Sequence, residues 1–424
     1  MFYKLLVFGL FFLAFDSCII SPQGKEINIS WQDSLSIEDN IAKNAVILQG
    51  SNDLYFLDKI AKDRSVIMLG EAGHGDSIST NVKIQMLSYL FDKGFRSVAF
   101  EGYPFLSCYV LSNKKFNSMT KDWTYDMKGQ EVFQGIQYFS NKNLKVWGID
   151  VYGGFYDVDA AKIILNKYIE KYNFLIDWNK LKNYYNRKFI NIEKLDSNHF
   201  PSVSEQVELG RMIDSISNFT RYLIYKEGKN NDLSAILQWI RNVNTNYSVN
   251  KLFEDEVDIF CNTEKTTLPF RNRDTQMAEN ILWITEHYTN EKFTVWTANY
   301  HAVKDISQTL FPSDSLMYFI HQCAAEGVYN KLGDKFYSLA FTSFNYRNNK
   351  DNEGLLESSI AKETKNASFA FIDFERLRFE DGYRDKEFES SIIKKKKGKW
   401  LYMFDGIYYT RDEYLFKEFE KYEK

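Results

Sequence analysis

Ser65-Val-Ile-Met-Leu-Gly-Glu-Ala-Gly-His-Gly-Asp76 is the stretch that decides the fold. An apolar run of strand length ends at Gly70 and gives way to a glycine-rich turn, as a buried strand does where it leaves a sheet. Beyond the turn, Ile84, Leu87, Leu90 and Phe91 recur at helical spacing, with Ser79, Thr80 or Asn81 in place to cap. A second strand pattern follows at Arg96-Ser-Val-Ala-Phe-Glu101 and a third at Leu144-Lys-Val-Trp-Gly-Ile-Asp150. Strand, helix and strand in succession predict a βαβ unit. The expected fold is α/β, a mostly parallel or mixed sheet flanked by helices.

From residue 156 to 262 the strand signals vanish. Helical patterns such as 160–172 and 207–225 take over, which reads as a helical insertion or cap. The alternation resumes with a helix over 277–287 and strands over 293–299, 336–344, 369–374 and 400–410. The lysine run 394–397 reads as a solvated turn. The main domain is thus expected over 46–424, preceded by a signal peptide (1–18) and a polar tether (19–45).

Of the 424 residues, 44% are hydrophobic and 26% charged, which excludes wholesale disorder. A net charge of −4 gives no basic field for nucleic acid, so a nucleic-acid partner is not expected. At the start of the chain, Lys4 precedes an apolar run over 5–15, followed by Asp16, Ser17 and Cys18. That run is too short to span a bilayer and has the form of a signal-peptide core. A cysteine after a small residue resembles a bacterial lipoprotein cleavage site, although Phe15 and Asp16 depart from the usual pattern. Cleavage there makes Cys18 the lipidated first residue, a membrane anchor in the cell envelope on the periplasmic side or at the outer membrane. Cys108, Cys261 and Cys323 form no CxxC pair and read as buried free thiols.

The glycine-rich turn sets Glu71 and His74 at the carboxyl end of a strand, where open α/β sheets hold their ligands. Gly70, Gly73 and Gly75 do not have the GxGxxG spacing, and no P-loop, GxSxG elbow or HExxH occurs. Dinucleotide enzymes, common serine esterases and common zinc proteases are therefore disfavoured. Of five histidines, His74 and His301 lie at strand ends, whereas His199, His287 and His321 read as structural. Glu101 ends its strand before a glycine, a costly place for a carboxylate unless it is paired or at a site. Glu71 with His74, Glu101, and Asn299 with His301 thus converge on one sheet edge. A histidine beside carboxylates is suited to act as a general base for water. An ion-pair network that ties loops together is the bland alternative.

The block Leu69-Gly-Glu-Ala-Gly-His-Gly75, Lys83, Gly94-Phe-Arg-Ser-Val-Ala-Phe-Glu101, Arg273-Asp-Thr-Gln-Met-Ala-Glu-Asn280, Val295-Trp-Thr-Ala-Asn-Tyr-His301 and Phe404-Asp-Gly-Ile407 resembles the erythromycin esterase family. The match runs discontinuously from about 65 to 410 and is poorest in the helical middle. The resemblance implies an α/β core that hydrolyses esters of a small-molecule substrate without a serine nucleophile and without a cofactor. His74 is then the activator of water and Glu71 and Glu101 its supporting carboxylates. Lys83 and His301 stabilise charge, and Asn299, Arg273 and Asp274 organise the substrate site. Two departures stand out: Ala298 replaces the first histidine of the family's His-Asn-x-His motif, and Ile78 stands where a glutamate is frequent. They leave open a noncatalytic metabolite- or carbohydrate-binding lipoprotein, or a peptidase or transferase on the same scaffold. A metal-dependent hydrolase holding its ion on Glu71, His74, Glu101 and His301 is the mechanistic rival.

Overall fold

The structure, a computed structural model, describes residues 31–73, 75–114, 144–151, 156–189, 201–254, 263–310, 322–345, 354–393 and 395–414. The chain enters through the helix Ile37–Ala42 (α1), the strand Val46–Leu48 (β1) and the helix Leu57–Asp63 (α2). Val66–Leu69 (β2), Ser77–Asp92 (α3), Phe95–Pro104 (β3), Phe105–Lys114 (α4) and Lys145–Asp150 (β4) follow. Helices then occupy the chain: Asp157–Tyr172 (α5), Trp178–Phe189 (α6), Val203–Glu227 (α7), Asn231–Glu254 (α8) and Thr263–His287 (α9). Strands return with Lys292–Trp296 (β5) and Thr309–Leu310 (β6), then the helix Ala324–Leu332 (α10) and the strand Phe336–Asn345 (β7). The last part holds Leu356–Glu363 (α11), Phe369–Asp373 (β8), Phe374–Leu377 (α12), Phe388–Ser390 (β9), Lys396–Gly398 (β10), Trp400–Met403 (α13) and Gly406–Asp412 (β11).

The main sheet among the described residues has eight strands in the order β1-β8-β11-β7-β2-β5-β3-β4. From β11 to β4 every neighbouring pair is parallel, and β8 and β1 add an antiparallel edge. The expected mixed α/β architecture is therefore what the chain adopts. β2 lies centrally and is buried throughout. Its alternate residues serve opposite faces, as a two-residue period requires. Val66 and Met68 join the cluster shared with the helices after β4, while Ile67 and Leu69 pack with Val82, Met86 and Leu90 of α3. Ile164, Leu209, Ile213 and Trp239 from those helices lie in the same apolar cluster as Trp147 and Val295 of the sheet. Because these strands run parallel, β2, β3, β4, β5 and β7 all deliver their carboxyl ends to one edge.

Several local readings change. Asp76, not a residue of 79–81, caps α3, accepting from the backbone N–H groups of Ile78 and Ser79 at 3.1 and 2.6 Å. A carboxylate is among the best groups for that position, since it meets both the orphan donors and the helix dipole. The apolar run over 400–410 is not one strand: it splits into α13 and β11, because Asp405 turns the chain by accepting from Lys304 and from the Ser338 N–H. An unbroken apolar run has no period to separate helix from strand. The run 293–299 leaves the sheet at Trp296. Within the expected tether, α1 buries Asn40, Ile41 and Ala42 against the body. Lys396 and Lys397 belong to β10, which joins β6 and β9 in a small antiparallel sheet rather than forming a turn. Cys108 and Cys323 are buried free thiols as expected. Residues 1–30, with Cys18, and His199, Cys261, His321 and Lys394 lie outside the described residues. Among the described residues, no helix is long and apolar enough to cross a membrane.

The parallel pairing of β3 with β4 depends on a missing side chain. A Cβ on Gly148 would meet the carbonyl oxygens of Tyr103 and Pro104, each at 2.4 Å. Gly210, inside α7, would meet nothing within 4 Å. Gly148→Ala is therefore expected to destabilise the fold by about 1–3 kcal/mol. Gly210→Ala is expected to stabilise it by about 0.5–1 kcal/mol. Denaturant unfolding of the two variants side by side checks both signs.

Candidate functional site

Arg273, near the middle of α9, is the hub of the carboxyl edge. Its Nε donates to Asp150 Oδ1 at 3.0 Å and its Nη2 to Asp150 Oδ2 at 2.6 Å, a bidentate pair. The same Nη2 donates to Glu101 Oε1 at 3.0 Å. Asp150, at the end of β4, is fully buried and also accepts from the backbone N–H groups of Gly102 and Val151 at 3.0 and 2.7 Å. Glu101, on β3, uses its other oxygen to accept from the Thr297 hydroxyl at 2.6 Å and the Ala298 N–H at 2.8 Å. One guanidinium and one carboxylate thereby tie the ends of β3, β4 and β5 together.

His301 completes the cluster. Its Nδ1 lies 2.6 Å from Asp274 Oδ1, and its Nε2 lies 3.0 Å from Glu101 Oε1 and 3.3 Å from Arg273 Nη1. Asp274 is itself buried and also accepts from the Ala324 N–H at 3.0 Å. Nε2 cannot donate to Glu101 and accept from Arg273 at once. The carboxylates stand nearer than the guanidinium, so the imidazolium is the consistent form, donating to Asp274 and Glu101. Burial works against that charge, but the two carboxylates outweigh it and hold the His301 pKa up at about 10. In this state His301 supplies positive charge and a proton; it is not a base.

A second pair underlies the first. Lys83 is fully buried on α3, and its Nζ donates to Glu71 Oε2 at 2.7 Å. Trp296 Nε1 donates to the same oxygen at 3.0 Å. The ammonium also sits over the rings of Trp296 and Phe341, at 4.7 and 5.3 Å from their centroids. Burial pulls the Lys83 pKa down while Glu71 opposes it. In this structure Lys83, for which the resemblance implies charge stabilisation, anchors Glu71 at the end of β2. Asn299, for which the resemblance implies a place in the substrate site, is bonded to backbone. Its Nδ2 donates to the carbonyls of Phe341 and Ile392 at 2.7 and 2.6 Å, and its Oδ1 accepts from the Phe341 N–H at 3.0 Å. Its amide hydrogens are spent on backbone. A Cβ on Gly70 would lie 2.2 Å from Asn299 Oδ1, so the glycine is what lets this clip close over β2.

His74 lies outside the described residues, in the loop between β2 and α3. Gly75 follows it with φ at +84°, a conformation glycine takes without strain. The sheet edge brings together Glu101, Asp150, Arg273, Asp274 and His301, with Glu71 paired to Lys83 beside them. Asp150 is the site residue that sequence reasoning missed. It closes β4, and Glu101 follows an apolar run too, although β3 continues past it to Pro104, so the same argument about costly carboxylates applies to both. His287 is structural, stacked on Trp283 and 2.9 Å from the Ser234 hydroxyl. As a metal-ligand set, Glu71, Glu101 and His301 fit poorly: Glu71 Oε2 is held by Lys83 and Trp296, Glu101 by Arg273, Thr297 and Ala298, and His301 by Asp274 and Glu101. A guanidinium 3.0 Å from Glu101 also opposes a dication there. Among the described residues, no group of three or more His, Cys, Asp or Glu side chains is arranged to hold a metal ion.

The buried Lys83–Glu71 pair makes a direct prediction. Lys83→Met leaves a buried carboxylate without its cation and is expected to cost about 3–5 kcal/mol. Adding Glu71→Gln should recover part of that loss, so a double-mutant cycle by denaturant unfolding will show coupling of at least about 1 kcal/mol. Additive losses would mean that the two charges do not interact.

No family model matches the chain. YbfO of Bacillus subtilis, a protein named as a hydrolase, is 26% identical over 285 residues, which is 62% of this chain. The match spans 63% of YbfO, less than two thirds of its length. Solved structures carry the likeness across nearly the whole chain. A Bacillus cereus protein has a TM-score of 0.67 at 18% identity, covering 89% of this chain and 98% of its own. A succinoglycan biosynthesis protein gives 0.59 at 15%, covering 91% and 98%. A histidine-to-asparagine mutant of the erythromycin esterase EreC, in its open conformation, gives 0.61 at 14%, covering 86% and 95%. In fold, the chain is similar to the erythromycin esterase EreC and to these other solved proteins.

Proposed function

We propose that the protein is an exported hydrolase that adds water to an ester, lactone or related acyl bond of a small molecule. The observation that carries this reading is the charged cluster at the carboxyl edge: Arg273 and His301 stand beside Glu101, next to the loop that bears His74. The names of two relatives, a hydrolase and an erythromycin esterase, agree with it. In this reading His74 takes a proton from water as the oxygen attacks the acyl carbon. The charge that develops on the carbonyl oxygen is met by Arg273 and the His301 imidazolium. Collapse of the tetrahedral species breaks the acyl–oxygen bond, and the leaving alkoxide takes the proton from His74. Glu101, Asp150 and Asp274 are positioning residues, holding the two cations in place. With His301 charged, the base in this reading is another group, and His74 is the histidine that the sequence sets directly after β2.

A noncatalytic binding protein is the second reading. Ala298 favours it, since its small side chain follows Thr297 where the resembled family carries a histidine. Export completes the proposal, with Cys18 as the lipidated residue. Labelled fatty acid should enter the wild-type protein in a bacterial host and fail to enter Cys18→Ala; equal labelling of both excludes that anchor.

Residues 19–424 are expected to hydrolyse a panel of esters and lactones. His74→Ala should lower kcat by about 10²–10⁴-fold. Chelator or added zinc should leave the wild-type rate unchanged. Activity that follows the metal would recast His74 as a ligand. An unaffected rate in the mutant would remove His74 from the chemistry, and inactivity across the panel would favour the binding protein.

A further inference from the structure

The antiparallel pair α8 and α9 meets along a polar seam inside the protein. Gln238 Nε2 donates to Asn280 Oδ1 at 2.7 Å, and the Thr245 hydroxyl donates to Gln276 Oε1 at 3.4 Å. These contacts set the register, so that the seam runs from Asn280 toward Arg273 as α8 proceeds from Gln238 to Asn246. On α8 the positions 238, 242, 245 and 246 follow the spacing of one helix face. On α9, Arg273, Gln276 and Asn280 do the same. Asn280 Nδ2 donates to the Ile149 carbonyl at 2.8 Å, one residue before the Asp150 that Arg273 grips. The amide seam therefore leads into the charged cluster rather than away from it.

Two members of the seam are unfinished. Asn242 and Asn246 are 4% and 1% exposed, and the Oδ1 of each has no hydrogen-bond partner among the described residues. Buried amide oxygens are ordinarily bonded, and each exception asks for a donor that completes it. Two such acceptors, one helical turn apart on one face of the helix that pairs with the Arg273-bearing α9, form a row that donors from a single bound molecule can meet. None of the six seam residues other than Arg273 carries a charge, so the matching group is neutral. Amides both donate and accept, and so do alcohol groups.

We propose that the α8–α9 seam is the specificity subsite of the same site, and that it takes the polyhydroxylated, uncharged part of the substrate, as in an acyl ester of a sugar or other polyol. This rests on the hydrolase reading for the ester and on the seam alone for the polyol. The ligand's hydroxyl groups would supply the donors that these two acceptors lack.

The test uses the mature chain with two probes, an acetylated glucose and ethyl acetate, together with calorimetric binding of methyl glucoside. The wild type should prefer the sugar ester by at least tenfold in kcat/KM. Asn242→Leu and Asn246→Leu keep side-chain size and remove the acceptor; each should cut that preference by about tenfold, chiefly through KM, while Asn246→Asp, which keeps an acceptor, should retain part of it. Methyl glucoside should bind the wild type and bind the leucine variants at least tenfold more weakly. If no ester is cleaved but the glucoside binds and the leucine variants lose it, the hydrolase reading fails and the subsite stands. A wild type with no preference for the sugar ester and no affinity for the glucoside overturns the subsite. So does binding that the leucine variants leave unchanged.

Discussion

Everything at the functional edge depends on the grip of Arg273 on Asp150 and Glu101. Carboxylates at the ends of buried strands are expensive to remove from water, and a cation in the same place is equally so. Paired, they become a clamp joining β3, β4 and α9. The planar guanidinium matters here, because two parallel bonds to Asp150 leave a hydrogen on Nη2 for Glu101. A lysine offers a point charge and no such fork. The clamp fixes Glu101, Glu101 fixes the turn over 297–298, and that turn delivers His301.

The charge state of the cluster divides the labour. His301 between Asp274 and Glu101 has the surroundings of a permanent cation, held there by two carboxylates against the cost of burial. A group of that kind can meet negative charge, and in the proposed hydrolysis it leaves deprotonation of water to a different residue. The second buried pair, Lys83 with Glu71, has a different environment, closed off by Trp296 and Phe341. It secures the end of β2 from beneath the loop over 70–76. Two ion pairs close in the fold thus serve different ends, one lining the candidate site and one sealed under it.

Much of this was readable in the sequence. The apolar runs at 65–70, 96–101 and 144–150 carry the parallel sheet, because strands buried on both faces leave no room for polar residues. Glu101 and His301 stood out by position, a charge or imidazole directly after an apolar run. Asp150 carries the same signal. What one dimension does not contain is the partner. Lys83 lies on the first helix after Glu71 and reaches back to it, and Asn299 spends its amide on Phe341 and Ile392, far along the chain. Spacing names neither contact. The division of 400–410 into helix and strand was hidden for another reason, since an unbroken apolar run has no period and only the bonds to Asp405 break it.

The central claim is that His301 is held as an imidazolium by Asp274 and Glu101. Nitrogen-edited NMR of its ring, assigned by loss of the signals in His301→Asn, tests this directly. The account predicts protons on both ring nitrogens at neutral pH, with titration only as the pH nears about 10. A neutral ring at neutral pH, titrating near the ordinary 6.5, would contradict it and return His301 to the candidates for the base.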